Sequence, residues 1–151
     1  MRLERYNFEK DSTQMLFEFI SEGPKGQIVK RVQYSKIEGS DKVYNLAFGD
    51  KKMGDEEIDD TIVTDNKDSQ KILATVAATV LTFTDTYKDV VVFAVGSTKA
   101  RTRLYQIGIA KNLDELQLYF DIFGYYQKKW FKFERNTPYE AFYVKRKIDN
   151  K

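Results

Sequence analysis

Of the 151 residues, 42% are hydrophobic, 32% are charged and only ten are Gly or Pro, the profile of a folded chain rather than a disordered or fibrous one. His and Cys are both absent, which excludes imidazole bases, thiol nucleophiles, thiolate zinc sites and Ser-His-Asp triads, so any chemistry runs on carboxylates, Lys, Tyr, Ser or Thr. The formal net charge of +2 hides two opposite halves: residues 1–68 hold 11 Lys and Arg against 15 Asp and Glu, and residues 69–151 hold 14 against 8. That split marks the second half for anions, provided that the halves stay apart in space.

A chain of this length buries about 68–70% of its unfolded surface, enough for one core without disulfide or metal. Residues 15–20 (MLFEFI) are almost continuously apolar, and Gly23-Pro24-Lys25-Gly26 breaks the run. Residues 27–37 follow, with Ile28, Val32 and Tyr34 on one parity, so the pair predicts a hairpin. Residues 43–48 put Tyr44, Leu46 and Phe48 on one face, and an acidic stretch then leads to a short strand near residues 58–64. The expected product is a four-stranded antiparallel meander.

The period changes at residue 69. Ile72, Val76, Val80, Phe83 and Tyr87 recur every three or four positions and Leu73, Ala77 and Leu81 widen the stripe, which predicts a helix over residues 69–87 buried on one broad face. Asn66 or Asp68 is placed to cap it. Residues 90–95 are a β-branched run short enough for a buried strand, and Gly96-Ser97-Thr98 opens a second helix carrying Leu104, Tyr105, Ile107 and Gly108. Asn112 and Glu115 have capping-box spacing, which predicts a further short helix. Residues 120–126, 130–134 and 139–147 alternate, with a turn at Gln127-Lys128-Lys129, and form a second small sheet or extend the first.

The fold class expected is α+β, a single domain over residues 1–151: an N-terminal antiparallel β-meander packed on a long amphipathic helix, a buried strand, a second helix and a C-terminal β-hairpin plus strand. No apolar run approaches the roughly 18 residues of a membrane span and the opening residues lack an apolar signal core, so the expected location is cytoplasmic, with no membrane partner.

Phe17 to Gly26 (FEFISEGPKG), Gln33 to Ile37 (QYSKI), Tyr44 to Asp50 (YNLAFGD) and Gly96 to Ile109 (GSTKARTRLYQIGI) together carry a likeness over nearly the full length. On these segments the chain resembles an uncharacterised bacterial family known only as a domain of unknown function. The resemblance implies a stand-alone bacterial protein of about this size, and it brings no activity, cofactor, substrate or functional residue.

Two constellations stand out. The first is Gly96, Ser97, Thr98, Lys99, Arg101 and Arg103, where a strand turns through Gly into a helix start: free amides, the positive end of the helix dipole, two hydroxyls and three cations suit phosphate or carboxylate. The P-loop and dinucleotide fingerprints are absent, and Thr98 acting only as a helix cap explains the same residues. The second is Tyr125, Tyr126, Lys128, Lys129, Trp130, Lys132 and Arg135, where rings able to stack on bases alternate with cations able to follow phosphates, as on single-strand binding surfaces. An ordinary half-buried hairpin alternates in the same way. Lys145, Arg146 and Lys147 add charge nearby.

Residues 50–68 hold eight carboxylates against three lysines without the ligand spacing or central Gly of an EF-hand, and read as a solvated loop. Neither metal, cofactor nor catalytic residues are assigned. The function best matched by these features is non-enzymatic recognition of an anionic ligand or single-stranded nucleic acid. The alternatives are a protein-interaction component of a bacterial regulatory or defence pair, with a protein partner or homodimer completing an exposed strand edge, and an enzyme using carboxylate, Tyr or Lys.

Overall fold

The computed structural model describes residues 3–51, 58–59 and 66–147. The alternating first part of the chain forms β1 (Glu9–Lys10), β2 (Leu16–Gly23), β3 (Gly26–Lys36) and β4 (Val43–Lys51), each antiparallel to the next, with β5 (Ile58–Asp59) paired to β4. The expected meander is present with β1 added. The rest of the strand expected at residues 58–64 and most of the acidic stretch lie outside the described residues. Gly23 pairs with Gly26 across the β2–β3 turn, and Gly26 has φ +88°, a conformation that a side chain would strain.

Helix α1 (Ser69–Thr86) then carries the chain over the sheet to β6 (Val91–Ala94), which runs parallel to β4. Helices α2 (Lys99–Lys111) and α3 (Leu113–Leu116) lead to β7 (Phe120–Tyr126), β8 (Lys129–Lys132) and β9 (Ala141–Arg146). The late strands extend the first sheet, giving the order β1-β2-β3-β4-β6-β9-β7-β8, with β9 entering between β6 and β7.

One face of this sheet meets the helices. Phe17, Phe19, Val32, Tyr34, Tyr44, Leu46, Val92, Ile122 and Phe142 are buried there, and Phe83 of α1 stacks on Tyr34 at 4.1 Å between ring centroids. Val80 and Phe83 are buried as the helical period predicts, while Ile72, Val76 and Leu81 are half-buried at the margin. Their place at the centre is shared by two threonines, Thr75 and Thr79, both fully buried. Each hydroxyl donates to the carbonyl of an earlier turn, at Lys71 and Val76 respectively. Thr75 also accepts from the Tyr6 amide and Thr79 pairs with the Tyr34 hydroxyl at 2.9 Å, so neither threonine hydroxyl is stranded. Deep burial, offset in part by Thr79, pushes the Tyr34 phenol far above its ordinary value.

The caps differ from expectation. Asp68 holds the position before α1, but its carboxylate makes no bond to the helix amides; its Oδ2 accepts from Tyr6 (2.6 Å) and Ser21 (2.5 Å). Asn66 is likewise committed elsewhere, accepting from the Lys25 amide and donating to Ser21 Oγ and the Gly26 carbonyl. Both tie the β2–β3 end of the sheet to the start of α1. At α3, Asn112 precedes the helix without capping it, because its amide nitrogen donates back to the Gly108 carbonyl and closes α2.

Candidate functional site

The sheet face away from the helices is aromatic over β6, β9, β7 and β8. Cross-strand pairing places Asn45, Phe93, Tyr143, Phe123 and Lys132 in one row, with Tyr125 and Trp130 paired in the next. Alternate residues of a strand share a face, so all of these project to the same side. The rings touch: Phe123 stacks on Tyr143 at 4.5 Å, Trp130 stands edge-on to Tyr143 at 4.8 Å and to Phe93 at 6.1 Å, and lies 5.0 Å from Tyr125. Trp130 is 41% exposed despite these contacts.

Lysines outnumber acids on this part of the face. Lys132 ends the row of rings, Lys145 lies on β9 between Val91 and Asp121, and Lys128 stands in the adjoining turn, all exposed. Asp121 is the acid among them. Burial, reinforced by the negative charge of Asp121, pushes the Tyr143 phenol up, so this ring stays neutral through the physiological range.

Of the residues expected on the hairpin, the structure brings Tyr125, Trp130 and Lys132 together here. Tyr126 and Lys129 pair with each other one step along, hence on the opposite face. Lys128 follows Gln127 in a two-residue turn, both with positive φ (64° and 49°), the twist that a tight hairpin selects. Arg135 donates to the Ala110 carbonyl and lies 3.7 Å from Asp114, on the helix side. Arg146 donates to Leu81, Thr84 and Asp85 of α1 and so is structural. Phe93, Phe123 and Tyr143 were missed by sequence reasoning: they sit on three separated strands, and only the β6-β9-β7 order makes them neighbours.

The turn from β6 into α2 has the strand-Gly-helix form expected, and Thr98 caps it, its hydroxyl accepting from the Arg101 amide at 3.2 Å. The Gly96 amide donates to Thr102 Oγ1 and the Thr102 amide to the Thr98 carbonyl, so three of the amides are used within the turn. A Cβ on Gly96 would run into Thr102 and Arg101. Lys99 and Arg103 are exposed, while Arg101 is buried. Together with Gly96, Ser97 and Tyr105 it borders a groove of about 210 Å³ beside Asn45–Phe48 of β4.

Between the sheet's other face and helices α1 and α2 lies a cavity of about 550 Å³, walled mainly by apolar side chains such as Leu46, Val80, Val92, Ile122 and Phe142. Lys30, Asp50 and Asp68 border it as well. Lys30 and Asp50 are cross-strand neighbours joined by a buried ion pair. Among the described residues, no three of His, Cys, Asp or Glu converge as a metal site, and no helix is long and apolar enough to cross a membrane.

Compared with known proteins, residues 2–147 match the model of a family described as "Family of unknown function (DUF6934)". No curated protein and no solved structure matches the chain.

Proposed function

The chain belongs to this family of unknown function, and we propose that it binds single-stranded nucleic acid on the outer face of its sheet. The observation that carries this reading is the platform of five touching rings, Phe93, Phe123, Tyr125, Trp130 and Tyr143, edged by lysines. Unpaired bases expose flat faces that stack on such rings, each worth about 1–3 kcal/mol, while lysines at the margin meet the phosphates. The rings already hold one another in place, so little ordering is lost on binding. Asn45 and Ser35, paired neighbours on the same face, supply hydrogen-bonding groups beside the rings. A duplex hides its base faces and finds no helix with a dense basic side here, so the face discriminates against it.

The overall charge of +2 is too small for affinity by bulk attraction, so stacking carries the binding and the salt dependence stays shallow. Trp130 is the single tryptophan, and its emission reports on this face alone. Titration with a short single strand should quench it saturably, at least tenfold tighter than a duplex of equal length. Trp130→Ala, whose binding is read by filter retention of the labelled strand, should cost about 1–3 kcal/mol. Lys132→Ala should flatten the slope of log affinity against log salt by about 0.7. Equal binding of both forms, or of neither, overturns the proposal.

A further inference from the structure

We infer that the cavity between the helices and the sheet is a separate binding site, for a small apolar molecule that ends in a hydroxyl or primary amide group. Its volume of about 550 Å³ lies within the roughly 300–1,000 Å³ of sites that enclose small molecules. Small residues keep it open. Ala77 on its α1 wall presents only a methyl group and Gly108 on its α2 wall presents no side chain. A void of this size left unfilled forgoes dispersion contacts around its whole lining, and an apolar guest restores them.

The polar end of the cavity selects the head group. Lys30 is 4% exposed, and of its three N–H donors one is taken by Asp50. Asp68 receives both of its hydrogen bonds, from Tyr6 and Ser21, on Oδ2, while its Oδ1 is buried with no partner. These two residues sit at the same end, since Lys30 pairs with Phe19 and Ser21, which holds Asp68, is two residues further along β2. The site therefore offers a donor with spare capacity and an acceptor with none of its own needs met. A hydroxyl or a primary amide can accept from the first and donate to the second. A carboxylate head can accept from Lys30 but has nothing to donate to Oδ1 and meets its charge, whereas an ammonium head can donate to Oδ1 but accepts nothing from Lys30 and meets its charge, so each satisfies only one of the two groups. A plain alkane would leave Oδ1 unsatisfied.

The test is a ten-carbon series, decanamide, 1-decanol, decanoate, decylamine and decane, titrated into the unaltered chain and followed by the methyl signals of Leu46, Val80 and Val92. The amide and the alcohol should move these signals saturably and bind at least tenfold more tightly than the other three. Ala77→Leu, which fills the space, should weaken them at least tenfold while the chain retains its thermal transition. No shift of these methyls with any member overturns the inference, as does a carboxylate, amine or alkane that binds as well as the amide. Trp130 lies on the opposite face, so oligonucleotide quenching reads the outer site independently, and either result can fail without the other.

Discussion

Gly124 lies in β7 with the ring of Tyr139 where its Cβ would be. That ring is held from several sides: the Tyr139 hydroxyl accepts from the Glu134 amide at 3.0 Å, and its own amide donates to Gln106 Oε1 at 2.9 Å. Gly124→Ala should therefore cost about 1–3 kcal/mol through overpacking, seen as a lower denaturant midpoint at constant slope. Charge matters more at Lys30 and Asp50. Asp50→Ala leaves a buried cation without its carboxylate and should cost about 3–5 kcal/mol by the same measurement. Asp11 reports on acid. Its slight burial works against ionisation, but bonds from the Thr13 hydroxyl and the Leu16 amide outweigh it and hold the carboxyl below its ordinary value. Because the folded value is the lower one, this contribution is present above the ordinary carboxylate range and is lost as pH falls through the folded value. Stability curves of the parent and Asp11→Asn should accordingly differ near neutrality and converge in acid. At this scale the sequence was readable where alternation suffices, at Tyr125, Trp130 and Lys132, and unreadable at Asp68, whose partners are 47 and 62 residues away.

The elements themselves were legible because burial imposes a period, two on strands and about 3.6 on helices. Every expected strand and helix is matched by one within the described residues, the β5 region excepted. Helix ends were less legible. A cap is a local preference, and a buried hydroxyl or turn carbonyl elsewhere outcompetes it, as Ser21 and Tyr6 do for Asp68 and the Gly108 carbonyl does for Asn112. The threonines of α1 were also hidden, since Thr75 and Thr79 score as polar until their partners are known. Their contribution is measurable. Tyr34→Phe and Thr79→Val each remove one hydroxyl of the pair joining β3 to α1, so each should cost about 1 kcal/mol and the double variant less than the sum, leaving a coupling of about that size in a thermodynamic cycle.

At the scale of the molecule, the sheet keeps the two groups of strands apart: β1 to β4 lie on one side, β6 to β9 on the other, and among the described residues β4 and β6 pair across the junction. Of the basic residues of the second half, Lys128, Lys132 and Lys145 lie at the aromatic face, whereas Lys129, Arg135 and Arg146 lie on the helix side. Strand order was the part that no sequence pattern carried, because alternation says which face a residue takes and nothing about which strand lies beside it. One consequence follows from the position of β9. It is the last in chain order of the strands among the described residues, yet it forms hydrogen-bonded ladders with both β6 and β7. During synthesis, β6, β7 and β8 leave the ribosome before the strand that unites them, and until residues 141–146 emerge the nascent chain presents two open strand edges beside unpaired aromatic rings. A chain stopped before Ala141 should remain in this state, aggregating and giving no cooperative thermal transition, whereas a chain lacking Glu9–Lys10, at the sheet's outer margin, should still melt cooperatively. Completing the sheet is then an insertion rather than an addition, and any state in which β9 has not yet entered exposes strand edges that invite association with other chains.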